Sequence, residues 1–396
     1  MPEAPLHGVR VIELARILAG PWAGQILADL GADVIKIEKP GEGDDTRRWG
    51  PPFVEGADGA DLSAAYYHAA NRGKRSVAFD IASEDGAETV RRLIAGADVV
   101  IENFKVGGLK KYGLDYESIR KINPRIVYCS ITGFGQTGPY APRAGYDFII
   151  QAMAGMMSVT GPKDGEPQKA GVAITDLFTG LYSVIAIQAA LRHAEATGEG
   201  QMIDMALMDT QAGVMANQNL NFLVSGTAPS RMGNAHPNIA PYEVFPVADG
   251  HVIIAVGNDG QFQRLCGLLG AGDMATDADF QTNPGRVAAR DRLRDGLVAQ
   301  LAGWTKADFL AACEAANVPA GPINTIEEMF ADPQVVARGL RHDLTDMAGT
   351  TIPGVRTPIL LPVSPLVYAR PSPRLGEHTD EVLAELASDT DHRTKA

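Results

Sequence analysis

The chain has little cysteine, no long apolar run and too few cations for its acids, and each shortage removes a class of function. Cys129, Cys266 and Cys313 lie far apart with no CxxC pair, so neither a disulfide framework nor a zinc site is expected, and the three read as buried thiols. No stretch approaches the ~18 uncharged apolar residues that a membrane span needs. The opening MPEAPLHGVRVIEL carries Glu3 and Glu13 where a secretion signal would be basic and then apolar, so the expectation is a cytoplasmic protein without a membrane partner. With 35 Lys and Arg against 48 Asp and Glu, the net charge is -13. That balance argues against nucleic acid or an anionic lipid surface, both of which select a basic face.

What remains has the balance of a globular enzyme. Apolar residues make up 45% and charged residues 21% of 396 positions, enough chain for about two domains of ordinary size. The acidity is uneven: residues 1–145 hold 18 Lys and Arg against 19 Asp and Glu, whereas residues 146–396 hold 17 against 29. Relative basicity is thus confined to the front third, where an anionic ligand such as a nucleotide would be held.

That front third alternates strand and helix. VRVIEL (9–14) reads as a buried strand, 20–31 as a helix with small residues for close packing, and DVIKIE (33–38) as a second strand. The pattern continues with strands at 75–80, 98–102 and 126–132 and helices at 84–95 and 116–122. Such alternation predicts an α/β fold with a doubly wound, mostly parallel sheet. A long apolar stretch, 177–193, predicts a helix buried between layers, followed by a strand at 202–207 and a helix over 209–223.

The pattern changes beyond residue 225. A Pro/Gly/Asn-rich loop (229–241) precedes two short runs flanking Ala248-Asp249-Gly250, which read as a hairpin. The expected organisation is a large domain over 1–225, a smaller α+β domain over 226–330, and a C-terminal segment, 331–396, returning to the large domain. The proline-rich part of that segment, 352–374, cannot form long helices and should run as extended chain.

The first strand–helix turn, ARILAGP (15–21), lacks the GxGxxG pattern that seats a dinucleotide pyrophosphate, which disfavours an NAD enzyme. Glu38 at the end of the second strand resembles a ribose-binding acid, but Lys36, Lys39, Arg47 and Arg48 surround it. A cation there suits a phosphorylated ribose such as that of coenzyme A; a solvated lysine at a strand end is the plainer alternative.

Six further segments converge: 18–47, NRGKRSV (71–77), VIENFKVGGLKKYGL (100–114), SITGFGQTGPY (130–140), RAGYDF (143–148) and RLGEHTDEVL (374–383). Together they resemble the class III CoA-transferases of the formyl-CoA transferase, or CaiB-BaiF, type, and they span nearly the whole chain. The resemblance implies a Rossmann-like CoA-binding portion, no prosthetic group, and coenzyme A and acyl-CoA as substrates. It points to Arg16, Ile17, Lys39, Lys74, Asn103, Phe104 and Lys111 as CoA contacts. Lys39 and Lys111 stand where relatives have arginine, keeping charge but losing bidentate recognition, and Arg143 lies one residue from a family active-site lysine.

The resemblance also selects Asp176 as nucleophile. Read on its own, Asp176 is an N-cap for the apolar helix after it, and a helix N-terminus would keep its carboxylate ionised. A carboxylate can take CoA through a mixed anhydride and an aspartyl-CoA thioester, chemistry that requires no metal or redox group. The motifs 43–53, 128–140 and 231–245 are most similar to members that pair succinyl-CoA with a dicarboxylate such as glutarate or hydroxymethylglutarate. Arg47, Arg48, Arg143 and Arg231 are candidate cations for the second carboxylate, each reading equally as a surface or CoA-phosphate arginine, with Trp49 and Tyr146 as further substrate residues; the glycine-rich backbone at 233–234 reads as a plain loop or as a source of lid and oxyanion donors. An α-methylacyl-CoA racemase would need histidine where this chain has Tyr146, a poor base at neutral pH. A non-catalytic acyl-CoA-binding partner subunit would not need Asp176. Family members resemble interlocked homodimers, so the expected partners are acyl-CoA, small carboxylic acids and a second copy of the chain.

Overall fold

A computed structural model describes residues 3–393 and divides the chain into two compact units. The first comprises 1–156, 170–220 and 334–396; the second comprises 157–169 and 221–333.

The first unit is built on six parallel strands: β1 (Arg10–Glu13), β2 (Asp33–Glu38), β3 (Arg75–Ala78), β4 (Val99–Glu102), β5 (Val127–Thr132) and β6 (Met202–Ala206). Their spatial order is β3-β2-β1-β4-β5-β6, every pair parallel. This is the strand order of a Rossmann-type doubly wound sheet, in which the direction of winding reverses between β1 and β4. β1, β2, β4 and β5 are almost wholly buried because helices cover both faces, as parallel strands require.

α1 (Ala19–Asp29), α2 (Glu84–Ala95), α3 (Tyr116–Ile122), α4 (Asp147–Met153), α5 (Ile174–Thr197) and α6 (Leu207–Val214) complete the layers. α2 starts where a capping serine should start it, the Ser83 side chain accepting from the Gly86 amide. The helix expected over 209–223 is two, α6 and α7 (Ala216–Ser225), because Ala216 turns to φ +43° between them.

α5 departs from its expected burial between layers. Thr179, Gly180, Ser183, Val184, Ile187 and Ala190 face the core, where a Cβ at Gly180 would meet the Ala19 carbonyl at 2.8 Å. Leu181, Tyr182 and Ile185 lie exposed on the other side. Against the expectation that no stretch approaches a membrane span, it is, among the described residues, the one helix long and apolar enough to cross a membrane by length and composition; packing against α1 accounts for its buried side.

The C-terminal segment closes the β3 edge of the sheet. Ser76 receives the His378 amide at 2.9 Å, and Ala78 N donates to Thr379 Oγ1 at 3.1 Å. Arg75 reaches Asp33 at 2.6 Å and Glu385 at 2.6 Å, joining β3 and β2 to α8 (Thr379–Arg393).

In the second unit three antiparallel strands, Tyr242–Val247, Gly250–Ala255 and Ala320–Pro322, pack on helices around Phe245, Ile254, Phe262, Leu297 and Phe309. The hairpin grammar of 242–256 is realised there.

Candidate active site

The loops leaving the carboxyl ends of the parallel strands enclose two adjoining cavities that share Arg16, Phe104 and Tyr112 in their walls. The larger, about 620 Å³, takes in residues from the loops after β1, β2, β4 and β5 together with the first turns of α4, α5 and α6. The smaller, about 290 Å³, lies toward β2 and β3. Ligands of doubly wound sheets sit at this carboxyl edge, at the point where the winding reverses. That point is marked by a reciprocal pair of hydrogen bonds: Arg16 N donates to Asn103 Oδ1 at 3.0 Å and Asn103 Nδ2 to the Arg16 carbonyl at 2.7 Å.

The β1 turn is held in an unusual backbone conformation. Ile17, β-branched, has φ +72°, a region such residues enter only when their surroundings impose it. Here the imposing group is Asp44, buried, whose carboxylate accepts from the Ile17 amide at 3.2 Å, the Thr46 amide at 3.0 Å and the Thr46 hydroxyl at 2.8 Å. Asp44 pairs with Lys36 at 3.0 Å, and Lys36 pairs with Glu13 at 2.9 Å. Lys74 joins Glu13 at 2.8 Å and also donates to the Pro21 carbonyl and Asn71. Burial opposes charge on Lys36, but Glu13, Asp44 and Glu38 outweigh it and raise its pKa. On Lys74 burial wins, helped by Lys36, and brings it down to about 8.

Those contacts correct two expectations. Lys74, expected to contact CoA, is fully buried with its ammonium committed to Glu13, Pro21 and Asn71, so its role is to carry the β1 turn. Arg47, expected to face a substrate carboxylate, lies beneath the surface with Glu38, donating to it at 2.8 and 2.6 Å and to Tyr67 at 2.6 Å. Arg231 belongs to the second unit, where it donates to the carbonyls of Pro162 and Gly165; its geometry is that of a loop brace.

The other named residues come together in the walls. Ile17, Trp49, Asn103, Phe104, Lys111, Arg143, Tyr146 and Asp176 line the larger cavity with Arg16, and Lys39 lines the smaller. Arg16 is paired with Asp45 at 3.0 Å and Lys39, exposed, with Glu42. Arg143 lies 4.0 Å above the Tyr140 ring. Two loops meet at glycines: a Cβ on Gly145 would fall 2.4 Å from Gly133 Cα, so only glycine lets the segment before α4 close on the end of β5.

Asp176 corrects the capping expectation. α5 begins at Ile174 with Ala173 as its N-cap, placing Asp176 in the first turn with no side-chain cap bond. The free amides there go instead to Asp147, whose Oδ2 accepts from Thr175 N at 2.8 Å and Asp176 N at 3.3 Å. Burial, and after it the Asp147 charge, push the Asp176 carboxyl up to about 7, against the expectation of a fully ionised acid at neutral pH. Asp147, Lys105 and Tyr112 are wall residues that the motifs did not single out; Asp147 follows Tyr146 within RAGYDF, its one sequence signal.

The described residues contain no cluster of three or more His, Cys, Asp or Glu able to hold a metal. Comparison with known proteins agrees with this architecture. The profile of CoA-transferase family III matches residues 6–379. The chain is 66% identical to a succinate–glutarate CoA-transferase of Agrobacterium fabrum, over 97% of this chain and 96% of that one. It is 40% identical to the human succinyl-CoA:glutarate CoA-transferase, over 96% and 86%. A crystal structure of a CaiB/BaiF family protein from Brucella suis superposes with a TM-score of 0.87 at 59% identity, covering 97% of this chain and all of that one. The chain is an enzyme of the CoA-transferase type and belongs to CoA-transferase family III.

Proposed function

We propose that this enzyme moves CoA from succinyl-CoA to glutarate or a related dicarboxylate, with Asp176 as the covalent carrier. The observation that supports it most is the position of Asp176: a half-buried carboxyl at the wall of a cavity whose other walls carry Arg16, Lys105, Lys111 and Arg143. Those cations suit the phosphates of CoA or a free carboxylate, and Arg143, ion-paired to no acid among the described residues, is the candidate for the distal carboxylate of the diacid. The relatives that bear the names of succinate and glutarate supply the choice of acids.

The steps balance without an external reagent. The ionised Asp176 oxygen attacks the thioester carbonyl of succinyl-CoA, the C–S bond breaks, and CoA leaves as thiolate, giving a succinyl–aspartyl anhydride. The thiolate attacks the aspartyl carbonyl, succinate departs, and an aspartyl-CoA thioester remains. Glutarate attacks that thioester, and the released thiolate takes the glutaryl group, returning the free carboxylate. Water must be kept out while the anhydride and thioester exist.

We also infer a homodimer, since Phe148, Ile149 and Met153 on α4 and Leu181 and Ile185 on α5 leave apolar surface uncovered in a single chain. Sedimentation should then return twice the 42.0 kDa chain mass.

The decisive experiment incubates the protein with succinyl-CoA, alone and with a panel of acids, and reads both the intact protein and the new CoA esters by mass spectrometry. A CoA adduct on Asp176 and formation of glutaryl-CoA are expected, both absent in Asp176→Asn. No adduct, together with exchange of the α-proton of a branched acyl-CoA in deuterated buffer, would replace this reading with a racemase.

A further inference from the structure

We propose that Asp147 is a positioning residue for the nucleophile, fixing the first turn of α5 through the Thr175 and Asp176 amides while setting a second carboxylate beside the Asp176 side chain. This rests on Asp176 being the carrier.

Asp147 is tied on both oxygens. Oδ2 takes the two α5 amides, and Oδ1 accepts from Gln151 Nε2 at 2.6 Å. Gln151 is fully buried and in turn accepts the Ala170 amide at 2.9 Å, so the same carboxylate secures the loop that leads into α5. Thr175, between the two chains of bonds, donates its hydroxyl to Gln211 of α6 at 2.6 Å. The first turn of α5 is therefore clamped from α4 and α6, and Asp176 projects from it into the larger cavity.

The electrostatic side of the arrangement has a chemical use. Free amides at a helix N-terminus favour a carboxylate; Asp147 takes those amides and adds its own charge. The groups that act electrostatically with Asp176 are Asp147 on α4 and Tyr66, whose phenol is raised by burial and then by the charges of Asp176 and Asp147; Tyr146, Arg143 and Arg16 share the cavity wall with it, Arg16 being paired with Asp45 and Arg143 lying over Tyr140. Burial first and Asp147 second hold Asp176 near 7, above an ordinary carboxyl at about 4. In the mixed anhydride the better leaving group is the conjugate base of the stronger acid. Succinate thus departs more readily than Asp176, which directs the thiolate to the aspartyl carbonyl in the first half-reaction; the same bias opposes release of Asp176 from the glutaryl anhydride in the second, so its effect is to favour the enzyme-bound thioester from either side. A more basic carboxylate is also the stronger attacking group, at the cost of a smaller ionised fraction.

Two variants test this against pH. Wild type should show an acid limb in kcat/KM for succinyl-CoA near 7. Asp147→Asn keeps an acceptor for the amides and loses the charge, so the limb should move down by on the order of one pH unit, with KM for succinyl-CoA within about twofold. Asp147→Ala, with its fold checked by circular dichroism, should lower kcat on the order of 10- to 100-fold. Superimposable profiles for wild type and Asp147→Asn would overturn the proposal, and so would a folded Asp147→Ala with wild-type kcat; should Asp147→Ala not fold, Asp147→Asn decides. Asp176→Asn runs alongside: if it still forms the adduct, the carrier assignment fails, whereas an inert Asp176→Asn with an unmoved Asp147→Asn profile removes only the role of Asp147.

Discussion

Two groups of acids, one buried and one half-buried, lie at the strand–loop layer and are treated in opposite ways. Beneath the β1 turn, Glu13, Glu38 and Asp44 each meet a cation, through Lys36, Lys74 and Arg47. At the cavity wall, Asp147 and Asp176 meet each other, and among the described residues neither has an ion-pair partner. The first arrangement makes a rigid shelf. The second leaves a titratable acid where a reaction can use it, in keeping with perturbed acids marking functional clefts.

The sharpest way to break that contrast is to remove one charge from the shelf. Lys36→Met leaves Glu13 and Asp44 buried and short of a cation, and chemical denaturation should show a loss of about 3–5 kcal/mol; a smaller loss would mean that water or Lys74 takes over. A second test uses the sign of the Asp176 shift. The native carboxyl, near 7 against 3.8 for an unperturbed group, holds its proton more tightly than the unfolded chain does. Native stability contributed by this group is therefore present at low pH and lost as pH rises through that interval. Asp176→Asn should be more stable than wild type at pH 8 by on the order of 1–2 kcal/mol, with the advantage fading toward pH 4. Equal melting temperatures at both pH values would show that the acid is not destabilised by its surroundings. The smallest effect belongs to the surface: Lys39→Ala breaks an exposed pair with Glu42 and should leave the melting temperature unchanged, since solvent screens such pairs, while raising KM for succinyl-CoA a few-fold in a steady-state assay.

The sheet was legible because buried parallel strands write themselves as uninterrupted apolar runs: β2 and α2 begin and end where DVIKIE and the Glu84–Ala95 pattern do. The nucleophile was legible only through motif resemblance, since an acid before an apolar helix looks like a cap, and the true helix start two residues upstream has no capping side chain to announce it. Lys74 and Arg47 misled for a common reason. A basic residue just before a strand, as Lys74, or in a short turn of helix, as Arg47, reads alike in sequence whether it meets a ligand anion or a buried Glu13 or Glu38, because the pairing acids lie 61 and 9 positions away. Asp147 escaped notice because its partners, Thr175 and Asp176, are 28 and 29 residues downstream. Nor does any local feature indicate that 157–169 packs with 221–333.

The bonds between β3 and the 376–385 segment bear on how the chain is made. Until residue 378 exists, the Ser76 carbonyl and Ala78 amide form an open strand edge, a surface prone to pair with other chains. At about 5–20 residues per second, the ribosome needs roughly 15–60 s to travel from β3 to its cover. During that interval the rest of the sheet can assemble with one side unprotected, which makes shortened chains ending before residue 376 candidates for aggregation even though every residue of the larger cavity is present.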